Sequence, residues 1–199
     1  ENYTWEFTKL TSQSFRYTNY ISVSETNIIY QFTFNPFVAN LVSKREDLST
    51  FGIDLLNGYN FYNLTSKSFS EVGFGTEVNA APIPIKHNSP DVIYEFPLTY
   101  KTQYSSVSSY QLNLQTIGYL SQERKRSNVV DGWGTVKTPY GTFECIRLKS
   151  QVYQKDSVFI SVLPIPFPAI PSSYIEYTWL SKDEKYPILK VVDNGALGI

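Results

Sequence analysis

Few residues in this chain have the type and spacing that covalent or metal chemistry requires. A nucleophile–base couple needs an imidazole, and the 199 residues hold one histidine, His87. It stands between Lys86 and Asn88 in a proline-rich stretch, where a surface imidazole is favoured over a catalytic one. The one cysteine, Cys145, lies two residues from Phe143 and from Arg147 in a strand-forming run. A buried, inert thiol packed like valine is favoured there over a reactive one. It has no partner for a disulfide within this sequence. No His/Cys spacing suits zinc and no Asp-x-Asp-x-Asp run suits calcium. Asp131-Gly132 fits a turn or bulge better than a ligand. Glu95, Glu144 and Glu176 fall on expected strands, but sugar hydrolysis needs two carboxylates at a set separation that the sequence does not specify. Gly73-Phe-Gly75 precedes no helix, so it makes no phosphate loop. The expectation is a protein that is not an enzyme and uses no metal or cofactor.

Two features remain that suit binding rather than catalysis. Tyrosine (16), phenylalanine (13) and tryptophan (3) make up 16% of the chain and recur at alternate positions. Such a surplus is either core or a lining for an apolar ligand, or a stacking face for sugars. Residues 80–85 and 163–171 are apolar and rich in proline, and an apolar loop is costly unless it covers something. Ile83, Ile85, Ile165, Phe167, Ile170, Tyr177 and Trp179 are therefore the candidate contacts for a ligand or partner.

The elements that would position these residues read as β. Tyr3, Trp5 and Phe7 alternate with Thr4, Glu6 and Thr8. Phe15, Tyr17, Ile21 and Val23 alternate with Arg16, Thr18 and Ser22. Ile28, Tyr30, Phe32 and Phe34 alternate with Gln31 and Thr33 until Asn35-Pro36. Three half-buried strands are expected from these sets. Residues 40–48 suit either two helical turns or a loop, and strand character resumes between 58 and 74. Residues 80–90 read as an extended connection that cannot donate a full ladder. Tyr110, Leu112 and Leu114 share one side, then the apolar phase shifts to Ile117 and Tyr119, which predicts a bulge near 115–118. Thr138-Pro139-Tyr140-Gly141 predicts a tight hairpin turn. Ile175, Tyr177 and Trp179 alternate before a turn at 181–185. Residues 192–199 resemble a frayed end or linker.

The prediction is a single all-β domain over residues 1–199: one strongly curved antiparallel sheet of roughly nine to twelve strands, a half-barrel or open barrel, with at most one short helix. Its concave side is expected to be partly covered by the middle segment and the proline-rich loops. Strands of about 15 residues would span roughly 50 Å, which calls for bulges and curvature.

Net charge is −1 with a pI near 5.9, which gives no field to attract nucleic acid. Glu123-Arg-Lys-Arg126 is short and carries its own acid, so a solvated strand end or loop is favoured over a binding patch. No apolar run is long enough to span a membrane as a helix. The chain has no methionine, even at position 1, as expected of a processed exported protein or a fragment.

Phe96-Pro-Leu-Thr-Tyr100, Val130-Asp-Gly-Trp-Gly-Thr-Val-Lys-Thr-Pro-Tyr-Gly-Thr-Phe143, Ile146-Arg-Leu-Lys149, Tyr177-Thr-Trp-Leu180 and Tyr186-Pro-Ile-Leu189 follow one another in order. The series resembles an uncharacterised domain of secreted Bacteroidetes proteins, often found ahead of a type IX secretion sorting tail. It spans about half the chain, from Phe96 to Val192. Lys101-Thr-Gln departs from the pattern, where a glycine and an acidic residue are usual, and no sorting tail is present. The resemblance implies an exported or cell-surface location in a Gram-negative bacterium. It also implies a curved half-barrel like that of LolA-type periplasmic lipoprotein carriers, and it carries over no catalytic residues. The leading functional expectation is a non-catalytic exported module, structural or interaction-mediating, with a hydrophobic ligand or a neighbouring domain as partner. The alternative is a carrier of a lipid-like ligand on the concave face, and less favoured is carbohydrate binding through exposed aromatics.

Overall fold

The computed structural model of the chain describes residues 2–13, 18–50, 53–114, 118–160 and 169–195. Its strands are β1 (Asn2–Glu6), β2 (Tyr20–Ile21), β3 (Leu41–Lys44), β4 (Leu48–Thr50), β5 (Ile53–Leu64), β6 (Ser68–Val78), β7 (Ala81–Glu95), β8 (Gln103–Leu114), β9 (Gly118–Thr138), β10 (Gly141–Ile160), β11 (Ile170–Leu180) and β12 (Leu189–Asp193). Among the described residues the one α-helix, α1, covers Ile28–Thr33 after a 3-10 turn at Val23–Glu25. The strands form one sheet in the order β12-β11-β10-β9-β8-β7-β6-β5-β3-β2, antiparallel along that path, with β4 beside β5. β1 is the exception: it runs parallel to β9, pairing Asn2 to Glu6 with Trp133 to Lys137, beyond where β8 leaves that edge at Val129.

This is the open, curled all-β sheet that the alternating sequence predicts. Its long hairpin turns at Thr138↔Gly141, as expected from Pro139-Tyr140. β9 and β10 run to 21 and 20 residues. A register shift between Arg147 and Leu148 relieves them: Leu148 pairs with Val130 and Arg147 with Gly132, so Asp131 is the extra residue of a bulge. Its carboxylate accepts two hydrogen bonds from Arg147, at 2.9 and 3.0 Å.

Several expectations need correction. The period-two run at Ile28, Tyr30, Phe32 and Phe34 is helix α1 rather than a strand. A spacing of four fits both periods, so Tyr30 and Phe34 can share a buried helical face. The Asn27 side chain caps the helix by accepting from Ile29 N–H at 2.9 Å. Tyr30 and Phe34 seat on β6 where glycine makes room. A Cβ at Gly73 would lie 2.4 Å from Ile85 O and 2.8 Å from Phe34 Cε1, and one at Gly75 would lie 2.7 Å from Tyr30 Cε1. With Val23, Ala39, Val42, Phe61 and Val72 they form a core on one face of the sheet.

Residues 81–95, expected in part as a connection, are strand β7 despite Pro82, Pro84 and Pro90. The prolines remove ladder donors, and β7 joins β8 through one registered pair, Ser89↔Ser109. Side chains complete the seam: Ser89 Oγ donates to Val107 O at 2.6 Å, Ser106 Oγ accepts from Val92 N–H at 2.9 Å, and Tyr104 OH donates to Ile93 O at 2.6 Å. Residues 41–44, read as helix or loop, are β3. The predicted bulge near 115–118 falls between strands β8 and β9, which pair antiparallel up to Leu114↔Gly118, and residues 115–117 lie outside the described residues. Residues 14–17 of the second predicted strand and 161–168 of the second proline-rich loop also lie outside them.

Candidate ligand cleft

The antiparallel meander brings the ends of β5, β7, β9 and β11 and the starts of β6, β8, β10 and β12 to one end of the sheet. A cleft of about 860 Å³ opens there. Tyr20, Leu41, Leu64 and Phe69 line it from the β2–β6 half, and Trp133, Ile146 and Leu180 from the β9–β11 half, with Tyr94, Phe96 and Leu98 between. Residues from both ends of the strand order share one cavity, so the sheet is concave on this face. The first and last elements nearly meet: Tyr20 of β2 stacks on Tyr186, just before β12, with ring centroids 6.1 Å apart and planes 6° from parallel. Helix α1 lies on the opposite, convex face, because Gly73 and Gly75 beneath it pair with Phe61 and Tyr59, alternate to the cleft-facing set. The helix therefore does not roof the concavity.

The lining is apolar with a polar rim. Leu64 and Trp133, both lining it, are each 43% exposed. Charged residues Lys182, Asp183, Glu184 and Lys185 border it on the β11–β12 loop, and Glu144 on β10. Residues 96–102 are pinned across the sheet end: Phe96 N–H donates to Lys67 O at 2.7 Å and Lys101 N–H to Val130 O at 2.9 Å. Burial pushes the Tyr62 and Tyr94 phenols up to about 12, so both stay neutral.

Deeper on the concave face lies a charge cluster that the sequence reading placed in solvent. In the Glu123–Arg126 run, mid-strand in β9, alternate residues divide: Glu123 and Lys125 face out and pair at 3.5 Å, while Arg124 and Arg126 turn inward. Arg126 bridges Asp91 of β7 (3.2 Å) and Glu176 of β11 (2.5 Å), two strands away on either side. Small Ser106 opposite it on β8 leaves the space. Arg124 Nη1 also meets Asp91 at 3.1 Å, and Lys190 meets Glu176 at 2.7 Å. Burial alone would raise both carboxyls, but Arg126, helped by Arg124 at Asp91 and by Lys190 at Glu176, holds them below their ordinary range. Glu71 of β6 is raised instead, by burial first. Tyr94 joins cluster and cleft, its phenol within electrostatic range of Tyr20, Glu176 and Arg126.

His87 is not the surface imidazole expected. It is 7% exposed, stacked on Tyr110 at 5.5 Å, with Nδ1 unpartnered. Burial, then Arg124, pushes it down to about 4, so it is neutral at physiological pH. Cys145 is buried, and burial pushes its thiol up to about 11. Among the described residues, no group of three His, Cys, Asp or Glu is placed to hold a metal. Nor, among them, is any helix long and apolar enough to cross a membrane.

None of the described candidate contacts lines the cleft. Ile83 and Ile85 pack with Phe74, Tyr110 and Leu112 in a second core. Tyr177 and Trp179 belong to a third, on the convex face, with Val136, Cys145, Trp5 and Phe7. There the Arg147 guanidinium lies over the rings of Trp5 (5.2 Å) and Tyr177 (5.0 Å). Ile170 is exposed at the far end of β11. Ile165 and Phe167 lie outside the described residues. The cleft residues were missed, although they share a signal: large apolar side chains within a few positions of a predicted turn, at the same end of successive strands. The chain matches no known family, no curated protein and no solved structure.

Proposed function

We propose that this protein is a non-catalytic binder of an apolar or amphipathic small molecule, held in the cleft at one end of its curled sheet. The observation that carries the reading is the 860 Å³ cleft itself, lined by aliphatic and aromatic side chains from both halves of the sheet. Its size falls within the range of about 300–1,000 Å³ usual for small-molecule sites. Charged residues at the mouth favour an occupant with an apolar body and a polar end left at the rim. Such a role suits the exported setting implied by the resemblance, where apolar molecules need a carrier through water.

Native mass spectrometry tests this on protein incubated with single-chain amphiphiles of graded length. One stoichiometric adduct is expected, and it should vanish in Leu98→Arg, which projects a charge into the cleft from the loop without breaking a strand. Absence of any adduct, or equal binding by the variant, would remove the basis for the proposal.

A further inference from the structure

The loop between β11 and β12 forms one wall of the cleft, which every residue from Ser181 to Pro187 lines. Yet Lys182 to Pro187 are all exposed, so the segment borders the cavity without being packed into the protein. Its backbone joins no ladder, since β11 ends at Leu180 and β12 starts at Leu189. Among the described residues its hydrogen bonds lie near its base. Ile188 N–H donates to Trp179 O at 2.9 Å, and Asp183 N–H to Ser181 Oγ at 3.4 Å. A segment with so few buried contacts opens locally at small cost in free energy.

One contact holds its far end. Tyr186 reaches the opposite edge of the sheet and stacks on Tyr20 of β2, with ring centroids 6.1 Å apart. β2 and β12 are the two ends of the strand order and share no ladder, so the stack bridges the gap between them. Tyr20 is itself held, edge-on to Tyr62 at 5.9 Å and to Phe69 at 6.5 Å. We infer that residues 181–187 are a flap that swings about its base at Trp179 and Ile188 to admit and release the occupant of the cleft, with Tyr186 on Tyr20 as its latch. The inference rests on the cleft as a ligand site and adds how exchange is controlled there. An aromatic pair of this kind shifts an open–closed ratio by roughly two- to tenfold, so the latch slows exchange without sealing the site. Because it acts on the flap in the free and the occupied protein alike, loosening it raises association and dissociation rates together and leaves Kd unchanged. Loss of a mere ligand contact would raise dissociation alone.

Limited trypsin digestion reads the latch with no ligand present, because Lys185 lies in the flap and cleavage after it reports the open population. Tyr20→Ala leaves the flap's own sequence intact and should quicken that cut by roughly two- to tenfold. Tyr20→Phe keeps the ring and should match the parent. Cleavage after Arg126, buried in β9, should stay at the parent's rate, which separates flap opening from general loosening. In a second measurement, stopped-flow Trp133 emission follows a brominated single-chain amphiphile. Tyr186→Ser should raise association and dissociation by the same factor, roughly two- to tenfold, and Tyr186→Phe should restore both. The inference is overturned if Tyr20→Ala leaves the Lys185 cut unchanged or quickens it only in step with Arg126. It is also overturned if Tyr186→Ser raises dissociation alone. Absence of any adduct with the parent would instead remove the cleft reading, an outcome on which the trypsin result does not depend.

Discussion

His87 makes stability depend on pH in a window where few other groups titrate. In the unfolded chain its imidazole protonates near 6.5; in the folded protein burial and then Arg124 push that down to about 4, against the opposing pull of Asp91 and of a hydrogen bond to the Glu71 backbone. Between those values the unfolded state binds the proton and the folded state does not, so folding is favoured at higher pH and weakened as pH falls. From pH 7 to pH 4.5 this one group costs about 2.5 kcal/mol, most of what a shift from 6.5 to about 4 can deliver. His87→Phe removes the titration while keeping a ring to stack on Tyr110. At pH 7 the variant should lie within about 1 kcal/mol of the parent, because the loss of the hydrogen bond to the Glu71 backbone is offset by removal of the unpartnered Nδ1. Glu71, Asp91 and Glu176 titrate in both proteins, so the difference between them isolates the imidazole. Urea unfolding of parent and variant at the two pH values measures it. The variant should be the more acid-resistant by about 2–3 kcal/mol. A difference unchanged between pH 7 and pH 4.5 would mean that the imidazole is solvated, and the reasoning about its burial would be wrong.

Three further outcomes are expected. Arg126→Leu leaves Asp91 to Arg124 alone and Glu176 to Lys190 alone, and should lower stability, read from the denaturant midpoint, by about 2–3 kcal/mol, less than for a fully stranded charge. That contribution is present above the ordinary carboxyl pKa values of 3.8 and 4.5 and lost as pH falls below them, because Arg126 lowers both in the folded state. Gly73→Ala places a Cβ 2.4 Å from Ile85 O at φ +152°, and should lower stability by about 3 kcal/mol in the same measurement. Cys145 should react with a thiol reagent only at the rate of unfolding, since it is buried and its thiol is pushed up to about 11.

Alternation carried the reading of the fold a long way. The 138–141 turn, the β11 pattern at Ile175, Tyr177 and Trp179, and the bulge at Asp131 all follow from local chemistry. What alternation cannot supply is which of two faces becomes concave, because that depends on how the whole sheet curls. Tyr177 and Trp179 are correctly a paired set, yet they fall on the convex core. The Glu123–Arg126 run reads as solvated because its partners lie far off in sequence: Asp91 is 35 positions from Arg126 and Glu176 is 50. At Tyr30 and Phe34 the helical and extended periods coincide, and only the Asn27 cap and the glycines of β6 decide between them. His87 carried no local sign of burial, since its flanking Lys86 and Asn88 are exposed on alternate positions of the same strand.

The cleft can be probed by its own fluorophore. Of the three tryptophans, Trp133 lines it, while Trp5 and Trp179 belong to the convex core. Titration with a brominated single-chain amphiphile should quench the Trp133 share of the emission saturably, and Trp133→Phe should abolish that component while leaving the remaining emission unquenched. Unsaturable quenching, or quenching that persists in Trp133→Phe, would contradict occupancy of the cleft.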